Sequence, residues 1–236
     1  RGHGHSTYNT HVMSLADFAD DLKLFLDELK ISKLNLLGWS MGGGIALQFA
    51  AKYPNYTDKV ILHSSIGCKG WPIPVVDEQM NDTGKKVEKY EDMLKHPYVK
   101  INEEPILKND RETVRKNEDE CLYHGLKKPE TERMDRYVEA IMLCNSIPQL
   151  FWSLNTFNIS EEHNGVCPGS GEIKNIKSKV LILHGDKDAT VALQDAEYTK
   201  KALGDLAELK VFKGAGHAVL EDYREEFIQE VKDFCK

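Results

Sequence analysis

The stretch LNLLGWSMGGGIALQFAAKYP, from Leu34 to Pro54, constrains the fold more than any other part of the sequence. An aliphatic run long enough only for a strand meets Ser40, which stands among Gly38, Gly42, Gly43 and Gly44. Ile45, Ala46, Phe49 and Ala50 then recur at helical spacing until Pro54 stops the pattern. A buried strand that turns at once into a helix fits a parallel sheet with helices on its faces.

The same rhythm continues on both sides. Ser14 and Asp17 form a capping box ahead of a helix over 15–29, with Leu15, Phe18, Leu22, Phe25, Leu26 and Leu29 at helical spacing. KVILHS (59–64) and KVLILHG (179–185) read as buried strands, and the second runs into the polar turn DKD. A helix over 196–203, a strand over 209–212 and the turn GAGH follow. The chain closes on a helix over 221–234 that places Tyr223, Phe227, Val231 and Phe234 on one face.

Between these segments the α/β rhythm lapses. Residues 77–145 are charge-rich and helical in pattern, with breaks expected at Pro97, Pro105, Gly125 and Pro129. PQLFWSLNTF (148–157) is more apolar, and HNGVCPGSG (163–171) is a loop by its glycine and proline content. The simplest architecture is an α/β core made of residues 1–66 and 177–236, carrying a helical insertion at 67–176.

Composition narrows the partners. Of 236 residues 41% are hydrophobic and 29% charged, which is globular, and no apolar run approaches the ~18 residues of a membrane span. A net charge of −7 without a Lys/Arg cluster argues against nucleic acid. Cys68, Cys121, Cys144, Cys167 and Cys235 are scattered without a C-x-x-C pair. Their odd number suits a reducing, cytoplasmic setting better than a disulfide framework. The sequons at Asn55, Asn81 and Asn158 are what chance supplies in a chain with this many asparagines. The chain enters directly on RGHGHSTYN, which reads as a piece of a longer frame.

G-x-S-x-G alone occurs by chance in roughly one chain in ten of this length. Its place between a strand and a helix is what makes it a nucleophile elbow. The turn holds Ser40 in a strained backbone conformation; Gly38 and Gly42 leave room for it, and Gly43 and Gly44 let the helix lie close to the strands. The helix N-terminus and the Met41 N–H are placed to stabilise an oxyanion. Neither the G-x-G-x-x-G of a dinucleotide loop nor the G-K-[ST] of a phosphate loop is present.

A serine hydroxyl needs a base to take its proton. Of nine histidines, His217 lies in the turn after the last apolar strand, where a parallel sheet gathers its functional groups. His63 and His184 read as packed core histidines, and His96, His124 and His163 as solvated ones within the insertion. Asp186 and Asp188 follow a buried strand and offer the carboxylate that orients the base. The order Ser40, Asp, His217 is that of one known triad arrangement.

Taken together, RGHGHS, GWSMGGG, LHGDKD and GAGH resemble the α/β-hydrolase fold superfamily in its esterase/lipase-like branch. The resemblance covers both core segments, and the insertion matches in position and helical character. It implies a mostly parallel sheet flanked by helices with a lid at 67–176, and it selects Asp188, three residues after Gly185, as the acid. It also implies that strands preceding Arg1 in family members, one of which supplies a second oxyanion donor, lie outside this chain. A chain without them is expected to fold poorly and to be inactive alone, with an open sheet edge beside the Ser40 strand.

The expected chemistry is cleavage of a carboxylic ester or related acyl compound through Ser40, His217 and Asp188, with Met41 N–H as oxyanion donor. No metal or organic cofactor is implied, because no H-E-x-x-H or Cys/His ligand spacing occurs. Trp39, Trp71, Phe151 and Trp152, with Ile73 and Phe157, are candidates to line an apolar substrate pocket. Three alternatives stand beside this one: a carbon–carbon bond hydrolase, a cofactor-free haloperoxidase or perhydrolase, and a slow ligand-sensing receptor of the same fold.

Overall fold

A computed structural model describes residues 1–236. Four parallel strands make the main sheet: β1 (Leu34–Trp39), β2 (Thr57–His63), β5 (Lys179–Gly185) and β6 (Ala207–Phe212), side by side in the order β1-β2-β5-β6. Gly38 pairs with Leu62, Ile61 with Leu181 and Ile182 with Leu209, so the carboxyl ends of all four strands come level.

Alternation along the central strands builds two cores. Val60, Leu62, Val180 and Ile182 face one side, where they pack under α2 (Met41–Lys52) and α8 (Leu193–Leu203). Ile61, Leu181 and Leu183 face the other, against Phe212, Val219 and Phe227. Strands covered on both faces must be apolar throughout, which is why KVILH and KVLILH read as unbroken runs. β1 forms an edge of the sheet, with Leu37 about half exposed.

α1 (Leu15–Glu28) starts at the expected capping box on Ser14 and Asp17. Its inner face differs from the sequence reading: Ala19 and Leu26 pack on Phe49, while Leu24, Phe25 and Leu29 point outward at 67%, 60% and 51% exposure.

Between β2 and β5 the chain is not wholly helical. β3 (Pro74–Val76) and β4 (Asp82–Lys86) form an antiparallel hairpin ahead of α3 (Tyr90–Met93), α4 (Pro97–Leu107), α5 (Arg111–Cys121), α6 (Thr131–Ile141) and α7 (Ile147–Thr156). Asp82–Lys86 is polar and outward-facing, so it carries no alternation to read. Buried Asn155 holds the hairpin region instead. Its Oδ1 accepts the Ile73 N–H at 2.7 Å, and its Nδ2 donates to the Val87 carbonyl at 2.8 Å.

Two expected breaks behave differently. Pro97 opens α4 rather than interrupting a helix, because its missing N–H costs nothing in the first turn. Pro105 lies inside α4, where it leaves the Ile101 carbonyl without its helical donor; Asn117 Nδ2 donates to that oxygen at 3.0 Å. The closing helix divides at Tyr223 (φ −132°, ψ 48°) into α9 (Val219–Asp222) and α10 (Arg224–Cys235). No helix is long and apolar enough to cross a membrane.

Candidate active site

Ser40 stands between β1 and α2 at φ 53°, ψ −121°, a region that a residue with a side chain enters only when its surroundings force it. The forcing contacts are visible. Its N–H donates to the His63 carbonyl at 3.0 Å, and its carbonyl accepts from the Gly43 and Ile66 N–H groups at 3.0 and 3.2 Å. A Cβ on Gly38 would lie 2.2 Å from the Gly42 carbonyl oxygen, and one on Gly43 2.0 Å from Ser65 Oγ. Gly42 corrects the sequence reading, since a Cβ there would meet nothing within 4 Å. Met41 opens α2, so its N–H is among the four that lack a partner inside the helix.

Asp188 and His217, from the turns after β5 and β6, meet at 2.8 Å between Oδ2 and Nδ1. Both side chains are fully buried. Asp188 Oδ1 accepts the Thr190 and Val191 N–H groups, each at 2.9 Å. Burial by itself would raise this carboxyl's pKa. The hydrogen bond and charge of His217, with the two backbone donors, outweigh it and hold the pKa below the usual value. A carboxylate accepting at Nδ1 fixes the imidazole with its proton there, and leaves Nε2 as the basic nitrogen. Nε2 is buried and has no hydrogen-bond partner.

The turn bearing Asp188 is also tied to the one bearing His217 through Asp186, whose Oδ1 accepts the Gly214 N–H. Asp186 therefore belongs to the scaffold and Asp188 to the histidine. Trp39, the residue before Ser40, reaches across to the same place. Its Nε1 donates to the His217 carbonyl at 3.0 Å, and its ring lies 5.5 Å from the imidazole.

Two further histidines surround this pair. His184 is fully buried; its Nε2 donates to the Val191 carbonyl at 3.0 Å and lies 3.4 Å from Asp188 Oδ2. Burial lowers its pKa, so it stays neutral beside the carboxylate. His63 stacks on Trp39 at 5.6 Å, and burial with the neighbouring His217 and His184 pushes its pKa down to about 3. Both are packed in the core, as the sequence implies. His184 lies four residues before Asp188 on the same strand and turn, whereas the nearness of His63 has no linear signal, because it depends on the register of β2 against β5.

The insertion contributes what the sequence reading did not find. His96 is buried rather than solvated: Nδ1 accepts the Tyr98 N–H and Nε2 donates to the Pro74 carbonyl at 2.8 Å. His124 is likewise engaged, accepting the Ala189 N–H on Nε2 at 3.0 Å. Of the aromatic residues expected in a pocket, Trp39 alone meets His217. Trp71 stacks on Tyr98 at 6.2 Å and faces Phe151 at 6.1 Å, and Trp152 meets Tyr90 edge-on at 5.7 Å. With Ile73 these make an apolar cluster within the insertion, which Trp71 also joins to the sheet core, and Phe157 packs into that core.

The Ser40 turn between strand and helix, the Asp188–His217 pair at the ends of parallel strands and the helices on both faces describe one known fold, and the sequence agrees. It matches the alpha/beta hydrolase fold over residues 1–222, and the chain belongs to that family. A Mycobacterium tuberculosis protein of uncharacterised function is 38% identical over 66 residues, which are 28% of this chain and 19% of that protein. The 2-hydroxy-6-oxo-2,4-heptadienoate hydrolase of Pseudomonas putida is 23% identical over 209 residues, 89% of this chain and 66% of the enzyme. This chain therefore spans less than two thirds of the length of either relative. An esterase from Exiguobacterium antarcticum superposes with a TM-score of 0.72 at 21% identity, covering 99% of this chain and 78% of the esterase; that likeness carries the fold.

Proposed function

We propose that this chain is the catalytic part of a serine hydrolase acting on a carboxylic ester or related small acyl compound. The observation that carries the reading is His217: one ring nitrogen bound to a buried carboxylate, the other buried and unpartnered. Buried His184 also has an unpartnered nitrogen, Nδ1, but its Nε2 donates to a backbone carbonyl; at His217 a carboxylate accepts at Nδ1 instead, which makes Nε2 the basic nitrogen. Here the free one is the nitrogen a base needs.

In this reading Ser40 Oγ attacks the carbonyl carbon as its proton passes to His217 Nε2. Asp188 keeps Nδ1 protonated and stabilises the imidazolium that forms. The Met41 N–H, at the positive end of α2, donates to the oxyanion. His217 then returns the proton to the leaving alcohol, and the acyl group remains on Ser40. A water activated by the same nitrogen cleaves the acyl-enzyme and restores the serine.

A second reading keeps the three residues and changes the substrate. The Pseudomonas relative is named for hydrolysing a 2-hydroxy-6-oxo-dienoate, and its similarity runs along most of this chain. In that case the bond broken would be carbon–carbon.

The deciding experiment is labelling by a fluorophosphonate probe on the complete reading frame that contains this chain, beside Ser40→Ala and His217→Ala. Label that depends on both residues supports an activated serine. A panel of p-nitrophenyl esters and a vinylogous diketone then separates the two readings. A folded, full-length protein that takes no label at Ser40 defeats both.

A further inference from the structure

The segment that runs from Cys121, the last residue of α5, to Lys127 ahead of α6 lies across both loops of the candidate site. Over the acid loop, His124 Nε2 accepts the Ala189 N–H at 3.0 Å and Thr190 Oγ1 donates to the Cys121 carbonyl. His124 Nδ1 is 3.0 Å from the same Cys121 carbonyl, so it carries the ring proton. Over the histidine loop the link is a single carboxylate. Asp222, only 3% exposed, accepts the Gly216 N–H on Oδ2 and the Lys127 N–H on Oδ1, each at 2.8 Å.

The fit around that carboxylate is close. A Cβ on Gly125 would stand 2.1 Å from Asp222 Oδ2 and 2.7 Å from the Gly216 nitrogen. A Cβ on Gly216 would stand 2.9 Å from Gly125 Cα. Two glycines back to back let the inserted segment touch the residue next to His217, and Asp222 bonds the two backbones together. No side-chain cation pairs with Asp222, whereas its neighbour Glu221 is held by Arg133 and Arg224. A carboxylate taken out of water with only two amide donors has a positional task, since surface residues could have closed the turn without that desolvation.

We propose that Asp222 is a positioning residue for His217, clamping Gly216 to Lys127 so that the seating of the insertion and the aim of the imidazole are one adjustment. The role for catalysis rests on the serine-hydrolase reading; the clamp itself does not. His217 is held at Nδ1 by Asp188, at its carbonyl by Trp39 and, through Gly216, by Asp222. Removing the last of these lets the turn rotate while the Asp188 bond persists. A misplacement of about 1 Å at a catalytic group costs on the order of a hundredfold.

The test is Asp222→Asn, whose amide keeps the shape but turns an NH₂ toward one of the two N–H donors. Three readouts are taken: amide hydrogen exchange at Gly216 and Lys127, the ¹⁵N shifts of the His217 ring, and the kinetics of the best p-nitrophenyl ester. The expected result is at least tenfold faster exchange at one or both amides and an altered His217 ring signal. kcat falls about ten- to a hundredfold with KM within twofold, and Asp222→Glu recovers part of it. Lys127→Pro removes the insertion's donor alone and serves if Asp222→Asn fails to fold; it should lower kcat in the same direction. Unchanged exchange and ring signals in a folded Asp222→Asn chain overturn the clamp. Changed signals with kcat within twofold of native overturn its role in positioning. All three are measured on the complete reading frame that contains this chain; if that native protein takes no fluorophosphonate label, the hydrolase reading falls, and exchange with the ring shifts still decides the clamp.

Discussion

Trp39 Nε1 donates to the carbonyl oxygen of His217 at 3.0 Å, so the residue before the candidate nucleophile holds the backbone of the candidate base. The bond spans 178 residues of sequence and ties the end of β1 to the turn after β6. Trp39→Phe keeps an aromatic ring against His63 and removes the donor. The His217 carbonyl then loses its indole partner, which should cost about 1 kcal/mol and slow Ser40 labelling severalfold. A urea midpoint and a labelling rate both equal to the native ones would contradict this.

The two glycines of the G-x-S-x-G motif are not equivalent. Gly38→Ala drives a methyl to 2.2 Å from a backbone oxygen, a contact that cannot relax by a rotamer change. It should destabilise by about 3 kcal/mol or more, seen as a large drop in thermal midpoint. Gly42→Ala meets open space within the first turn of α2. In this chain it should be neutral or stabilising by up to about 1 kcal/mol. Equal losses at the two positions would show that the elbow is packed otherwise.

Ser40 holds a backbone conformation suited to glycine, at φ 53°. Ser40→Gly removes that strain and should raise stability by about 1 kcal/mol while abolishing fluorophosphonate labelling. Ser40→Ala abolishes labelling without the gain. The comparison is a pair of denaturation curves; a glycine variant no more stable than the alanine one would mean that the turn stores no strain.

His63 makes stability depend on pH. Its pKa is about 3 in the folded chain and about 6.5 in an unfolded one. Between these values the unfolded state binds more protons, so stability is complete above about 6.5 and falls progressively as pH drops toward 3. His63→Phe keeps the stack on Trp39 and removes the titration. Its urea midpoint should be flatter than the native one between pH 6.5 and 4. Asp188, whose folded pKa is lowered, adds a loss of the same sign only below its unfolded value near 3.9. Parallel profiles for the native and His63→Phe chains would show that His63 has the same pKa folded and unfolded.

Much of the core was legible because its constraints are local. Buried parallel strands must be apolar on both faces, so KVILH and KVLILH announce themselves. The Ser14–Asp17 capping box and the elbow glycines are also local devices, and each marks a helix start. The hairpin of β3 and β4 was not legible, since a polar surface strand has no period to detect. Nor was the passage of α4 through Pro105, which depends on Asn117 from the next helix.

By itself the sequence determined the α/β class, the elbow at Ser40 and the turns in which a carboxylate and a base would be found, because each follows from residues within a few positions of one another. Only the tertiary structure decided which groups meet. Strand register levels the ends of β1, β2, β5 and β6 and so brings His63, His184, Asp188 and His217 together. Packing put Phe151 and Trp152 into the insertion's own core, used Trp71 to join that core to the sheet, and set Asp222 between Gly216 and Lys127. The physical reason is that a buried polar group must find its partners wherever the fold supplies them, and those partners can lie a hundred or more residues away.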